Sequence, residues 1–139
     1  VMVGFNILNQ SARERVLAAT QRQDIGVLDM FAVRQAFSQP AKLREIIAEL
    51  VQQGLIAQDS VDLEAPLEFL VRQDGAQNLV DAAYRFCRAE PGVHVVLSGT
   101  GNMQHLEENV ACILRPALPE PDLQRLREMF AGVDTVSGQ

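Results

Sequence analysis

Three short apolar runs, VMVGFNIL at 1–8, IGVLDMFAV at 25–33 and VHVVL at 93–97, stand apart along the chain with stretches of helical periodicity between them. Their apolar residues are consecutive and partly β-branched, the pattern of strands buried on both faces. Strands of that kind need helices packed on them, and parallel neighbours need a long crossover. Runs of this type separated by helices therefore predict an α/β fold of parallel βα units.

The helical segments follow from spacing and caps. Asn9, Gln10 and Ser11 offer capping chemistry for a helix through Val16 and Leu17 to about Gln23. Ser38-Gln39-Pro40 opens the clearest helix, with Leu43, Ile46, Ile47, Leu50 and Val51 at helical spacing and Gly54 where a C′ glycine belongs. Pro66 suits the first turn of another helix carrying Leu67, Leu70 and Val71, which Asp74-Gly75 breaks. Leu79, Ala82, Ala83 and Phe86 mark a helix from about Gln77 to Glu90, ended by Pro91-Gly92. After the third apolar run, Leu106, Val110 and Ile113 form the side of a helix expected to face the core. Three prolines then lead to an amphipathic helix with Leu123, Leu126, Met129 and Phe130. The expected order is β-α-β-α-α-α-β-α-α, with 132–139 as a flexible tail. Asp29 lies inside the second apolar run and needs a polar partner or an exit from the core.

Composition narrows the function classes. The 139 residues suit one domain, and a net charge of −6 argues against binding nucleic acid or an anionic membrane. No apolar run approaches the roughly 18 residues of a membrane span, and no signal-peptide pattern opens the chain. Cys87 and Cys112 lie in helical patterns without CxxC spacing. They read as free thiols, which makes the cytoplasm the expected compartment.

The segment HVVLSGTGNMQHLEEN at 94–109 reads as a strand, a glycine turn and a helix start, where unpartnered amides can hold a phosphate. It is not a dinucleotide fingerprint, because Gln104 stands where a third glycine is needed, and no P-loop lysine follows. His105, Glu108 and Asn109, at i, i+3 and i+4, share one flank. They could hold a base edge beside a phosphate, or form an ordinary solvated face. His105 and Glu108 without a third ligand make no metal site.

Several segments, in order, resemble the aldo-keto reductase family. LSGTGNMQHLEEN is similar to its last barrel strand, turn and L-x-E-N helix, and VGFNILNQ to the Y-N-L-L segment of the sixth strand. IGVLDMFAV resembles the seventh strand, and AAYRFCRAEPGVHVVLSGT the helix and eighth strand. The resemblance implies the C-terminal part, about three βα units, of a (β/α)8 barrel with its site at the C-terminal ends of the strands. It implies an NAD(P)(H) cofactor and a small carbonyl or alcohol substrate. Gly99, Thr100, Gly101 and Asn102 would hold the adenosine-side phosphate through backbone amides and the Thr100 hydroxyl, and Glu108 and Asn109 would meet the adenine edge. Met30 matches the position from which many members stack a tyrosine on the nicotinamide. Met2 matches a glutamine that bonds the carboxamide.

Two departures bear on the cofactor. His105 stands where NADP-preferring members place an arginine, and Gly99 where many have a lysine. A ribose 2′-phosphate wants charge-assisted donors, so the pair leans the expectation toward NAD(H). The family's catalytic tyrosine, lysine, aspartate and histidine belong to the first half of the barrel. Here the sole tyrosine, Tyr84, and the sole lysine, Lys42, fall in helical patterns, so no catalytic residue is assigned.

A whole barrel takes about 250 residues, and three strands cannot close one or cover their own edges. With Val1 opening in mid-strand, the chain is expected to be a piece of a longer enzyme lacking its N-terminal half, or a half-barrel that pairs with a partner or with itself. Two functions remain: the nucleotide-binding part of an oxidoreductase, inactive alone, or a non-catalytic nucleotide-sensing or protein-interaction module.

Overall fold

A computed structural model of the protein describes residues 1–135. Three parallel strands form its sheet in the order β1 (Met2–Gly4), β2 (Leu28–Met30), β3 (Val95–Val96). Met2 pairs with Leu28 and Gly4 with Met30, while Leu28 pairs with Val95 on the other side. The ladder is shorter than the apolar runs. Past Gly4 the chain leaves the ladder because the Asn6 side chain accepts the amides of Leu8 and Asn9, both at 3.0 Å, and turns the backbone. Phe5, Ile7 and Leu8 are nevertheless fully buried, so the run marks burial more than pairing.

The first crossover begins as a π-helical turn, Arg13–Leu17, that tightens into α1 (Ala18–Arg22). The second crossover contains α2 (Pro40–Gln52), which opens on its proline, buries Leu43, Ile47 and Leu50 and leads to Gly54 at φ 71°. The helix expected from Pro66 does not form. Leu67 takes a left-handed φ of 67° and only a 3₁₀ turn follows at Glu68–Leu70. That kink sinks both Leu67 and Leu70 into the core, a gain that outweighs a few helical hydrogen bonds.

Helix α3 (Leu79–Ala89) is the centre of the molecule, with seven residues from Asp81 to Cys87 buried in sequence. Asn78 caps it by accepting the Asp81 amide at 2.9 Å. Phe86 stacks flat on Phe5, ring centroids 5.6 Å apart, and ties the helix to the end of β1. Glu90 then takes a bidentate grip from Arg13 at 2.6 and 2.7 Å. Gly92, at φ 91°, turns the chain into β3 against Gln21, where a side chain would collide.

Helices α4 (Met103–Leu114) and α5 (Glu120–Met129) complete the fold. The side of α4 expected in the core is not buried: Leu106 and Val110 are 39% and 48% exposed, and Ile113 is only half-buried. With Met103 and Leu114, exposed still further, they form an apolar stripe along the helix. The helical periodicity holds, but the face it marks lies open, with no partner for it among the described residues. Of the expected tail, Val133 is buried, and Asp134 accepts from Asn9 and pairs with Arg15. Positions 136–139 of that tail lie outside the described residues. No helix among the described residues is long and apolar enough to cross a membrane.

Candidate functional site

At the C-terminal ends of β2 and β3 the chain opens into a cavity of about 930 Å³. Its floor comes from Met30 and the residues after it. One wall comes from the start and outer stripe of α3, the other from the turn after β3 and the inner flank of α4. Parallel sheets place their sites at this end because the connections there diverge and leave a crevice.

Met30, Gly99, Thr100, His105, Glu108 and Asn109 all line this cavity. Gly101 and Asn102 lie in the adjoining turn without lining it, and Met2 lies on the exposed edge strand, outside the cavity. The i, i+3, i+4 flank of α4 therefore faces a cleft, and the apolar stripe faces the other way.

The turn already uses part of its own anion-binding capacity. Asn102 caps α4, its Oδ1 accepting the amides of Gln104 at 2.9 Å and His105 at 3.4 Å. The Thr100 hydroxyl accepts the Asn102 amide at 3.1 Å. An incoming phosphate would therefore meet the amides of 99–101 first, and would gain the helix-start amides by displacing the Asn102 side chain. Glu108 accepts from the Gln104 amide side chain at 3.0 Å and keeps further lone pairs open.

Four residues that spacing alone did not bring to the site also line it: Tyr84, Cys112, Arg115 and Asn78. The Tyr84 hydroxyl donates to Ser98 Oγ at 3.0 Å, and Asn109 Nδ2 donates to the same oxygen at 2.9 Å. Burial raises the Tyr84 pKa above its ordinary value, so the phenol stays a donor at neutral pH. A signal for Tyr84 did exist: Gln77, Val80 and Tyr84 stand at i, i+3 and i+7, and all three line the cavity. Burial also raises the Cys112 thiol, with the Asp81 carboxylate beside it adding to the shift. Lys42 reaches Gln35 on the exposed surface of α2, and the His94 ring accepts the Val27 amide at the entry to β3. Among the described residues no cluster of three or more metal-ligating side chains forms.

One ion cluster joins the two walls. Asp81 is fully buried, accepts the Gln77 amide at 2.9 Å and pairs with Arg85 at 3.2 Å and Arg115 at 3.1 Å. Arg85 in turn donates to the carbonyls of Gly75, Pro116 and Ala117, which fixes the end of α4 to the start of α3.

The residues present suit the adenosine part of a nucleotide. The cleft has the volume of a ligand pocket, acceptors at Glu108 and Asn109, and a turn whose residues 99–101 are exposed. The family model described as the aldo/keto reductase family matches residues 1–131. Among solved structures, the holo form of aldo-keto reductase AKR11C1 from Bacillus halodurans is similar with a TM-score of 0.60 and 15% identity, covering 96% of this chain and 43% of that one. Its apo form gives 0.59 and 15%, covering 96% and 44%. The chain thus spans less than half the length of these structures, and at this identity the likeness is one of fold. No curated protein matches the sequence.

Proposed function

The chain belongs to the aldo/keto reductase family, and from that premise we propose that it carries the adenosine-binding part of an NAD(P)-dependent oxidoreductase acting on a small carbonyl or alcohol. One observation carries the reading: five residues picked out by their match to the family's adenine-nucleotide end, and Met30 at the position matched to the nicotinamide, line one cavity at the C-terminal ends of β2 and β3. When bound, the cofactor supplies or accepts a hydride. This chain's residues do the holding. The amides of 99–101 and the Thr100 hydroxyl take the phosphate, Glu108 and Asn109 take the adenine, and Met30 offers flat apolar contact toward the nicotinamide.

The cofactor is NAD(H) in preference to NADP(H). Of the basic side chains lining the cavity, Arg115 is engaged by Asp81 and His105 offers an imidazole in place of a bidentate guanidinium, so a 2′-phosphate would lack a dedicated counter-charge. The catalytic tetrad is supplied from outside these residues. Tyr84 donates to Ser98 from the middle of α3 and Lys42 sits on the surface of α2, so neither serves as the general acid. Strands that close the barrel cover the open edges, at Met2 on one side and Val95 on the other, both about half exposed. They come from the remainder of the enzyme or from a second chain. The two buried, unpaired cysteines favour a reducing compartment such as the cytoplasm.

The exposed stripe of Met103, Leu106, Val110 and Leu114 favours a second reading, a module that keeps the fold for protein contact and does not bind nucleotide. Calorimetric titration of the chain with NADH and with NADPH separates the two. The oxidoreductase reading expects saturable binding, NADH at least as tight as NADPH, and a loss of about ten-fold in Asn109→Ala, the scale of one lost polar anchor. A folded sample that binds neither dinucleotide supports the contact module instead.

A further inference from the structure

Resting on that nucleotide reading, we infer that Tyr84 and Ser98 are positioning residues that orient the Asn109 amide so that the cavity selects a 6-amino purine over a 6-oxo purine. The geometry lies in one short chain of hydrogen bonds across the cleft. Ser98 Oγ accepts from the Tyr84 hydroxyl at 3.0 Å and from Asn109 Nδ2 at 2.9 Å.

A hydroxyl oxygen has two acceptor sites, and both are then filled. With Nδ2 held toward Ser98, the amide turns Oδ1 away from that contact and presents an acceptor. Glu108, one residue earlier on the same flank, adds carboxylate lone pairs to the same cavity. The pocket edge therefore offers acceptors and asks the ligand for donors. An exocyclic amine meets that demand. A carbonyl in its place would set oxygen against oxygen.

The phenol end of the chain is rigid, because Tyr84 is 4% exposed and anchored in α3. Ser98 and Asn109 stand nearer solvent, so the anchoring tyrosine is what keeps the amide from rotating freely. A site that holds a polar group in a fixed orientation discriminates by leaving that group unpaired with the wrong ligand.

The test compares NADH with its hypoxanthine counterpart, in which the 6-amino group is a 6-oxo group, binding each to the wild-type chain and to Tyr84→Phe and Ser98→Ala. The wild-type chain is expected to favour NADH by about ten-fold, the scale of one matched against one mismatched hydrogen bond. Each variant is expected to bring that ratio to about two, chiefly by weakening NADH, and the double variant to do no more than either single one. A melting temperature within a few degrees of wild type shows that the variants remain folded. A merely structural role for the tyrosine weakens both ligands alike and leaves the ratio unchanged. That result, or a wild-type ratio near one, overturns the inference. If the wild-type chain binds neither dinucleotide, the nucleotide reading fails and this inference falls with it.

Discussion

Replacing Asp81 with asparagine is expected to destabilise the chain by about 3–5 kcal/mol, the cost of removing one partner from a buried ion cluster. The carboxylate is fully buried and is the shared counter-charge of Arg85 and Arg115. Asparagine keeps the shape and one acceptor but leaves the Arg85 guanidinium, whose side chain is 6% exposed, with carbonyl partners and no opposite charge. For a chain of this length the melting temperature should fall by roughly 10 °C or more. Nucleotide affinity should fall too, because the same cluster sets the spacing of the cavity walls through Gln77 and Arg115. Thermal unfolding followed by circular dichroism checks the first part. A shift of less than about 2 °C would show that the arginines find other compensation and that the walls are held by packing.

The second large effect is a dependence of stability on pH that runs opposite to that of most carboxylates. Asp29 lies fully buried in the middle strand, its Oδ1 accepting the Phe5 amide at 2.9 Å, and Oδ2 has no hydrogen-bond partner among the described residues. Burial raises its pKa from 3.8 to about 7, with the Cys87 thiol and the Phe5 amide only partly opposing the shift. The folded chain therefore binds this proton more tightly than the unfolded chain. Asp29's contribution is fully present below about pH 4, is lost progressively as pH rises, and has gone above about 7. At 1.36 kcal/mol per unit the swing is on the order of 4 kcal/mol. Asp29→Asn removes the titration while keeping an acceptor for Phe5. Denaturant unfolding across pH 4–8 should show the wild-type chain losing stability relative to Asp29→Asn throughout that rise, with the variant the more stable above neutrality. Parallel curves for the two proteins would mean that Asp29 is solvated or paired in solution.

Asp29 also shows how far the sequence could be read. A charged residue inside an apolar run had to find a partner, and it found one, but nothing in the pattern named the Phe5 amide at 24 positions' distance. Likewise the three apolar runs mark the three strands and their parallel arrangement, yet overstate their length. Burial of Phe5, Ile7 and Leu8 continues after the ladder ends, and hydropathy cannot tell the two apart. Pro66 misleads because proline opens helices and turns alike, and here a left-handed Leu67 decides for the turn.

The candidate site was legible along its local part, the turn and the first flank of α4, where spacing alone puts side chains on one face. Tyr84 shares a helical stripe with Gln77 and Val80, but that spacing does not say that the stripe faces this cleft, and Arg115 reaches it only through the packing of α3 against α4. The stripe of Leu106 and Val110 is apolar as its spacing implies, yet it lies exposed rather than in the core. Periodicity reports that a face needs a neighbour, not where the neighbour is.

The proposed seat of a dinucleotide, the cleft between α3 and α4, is open to direct observation. Amide chemical shifts of the isotopically labelled chain, followed by NMR through an NADH titration, locate the ligand residue by residue. Shifts are expected to concentrate at 99–109 and 30–33, with smaller ones at Gln77 and Asn78 on the opposite wall. Shifts gathered instead around α1 and α5, or none in a folded sample, would contradict it.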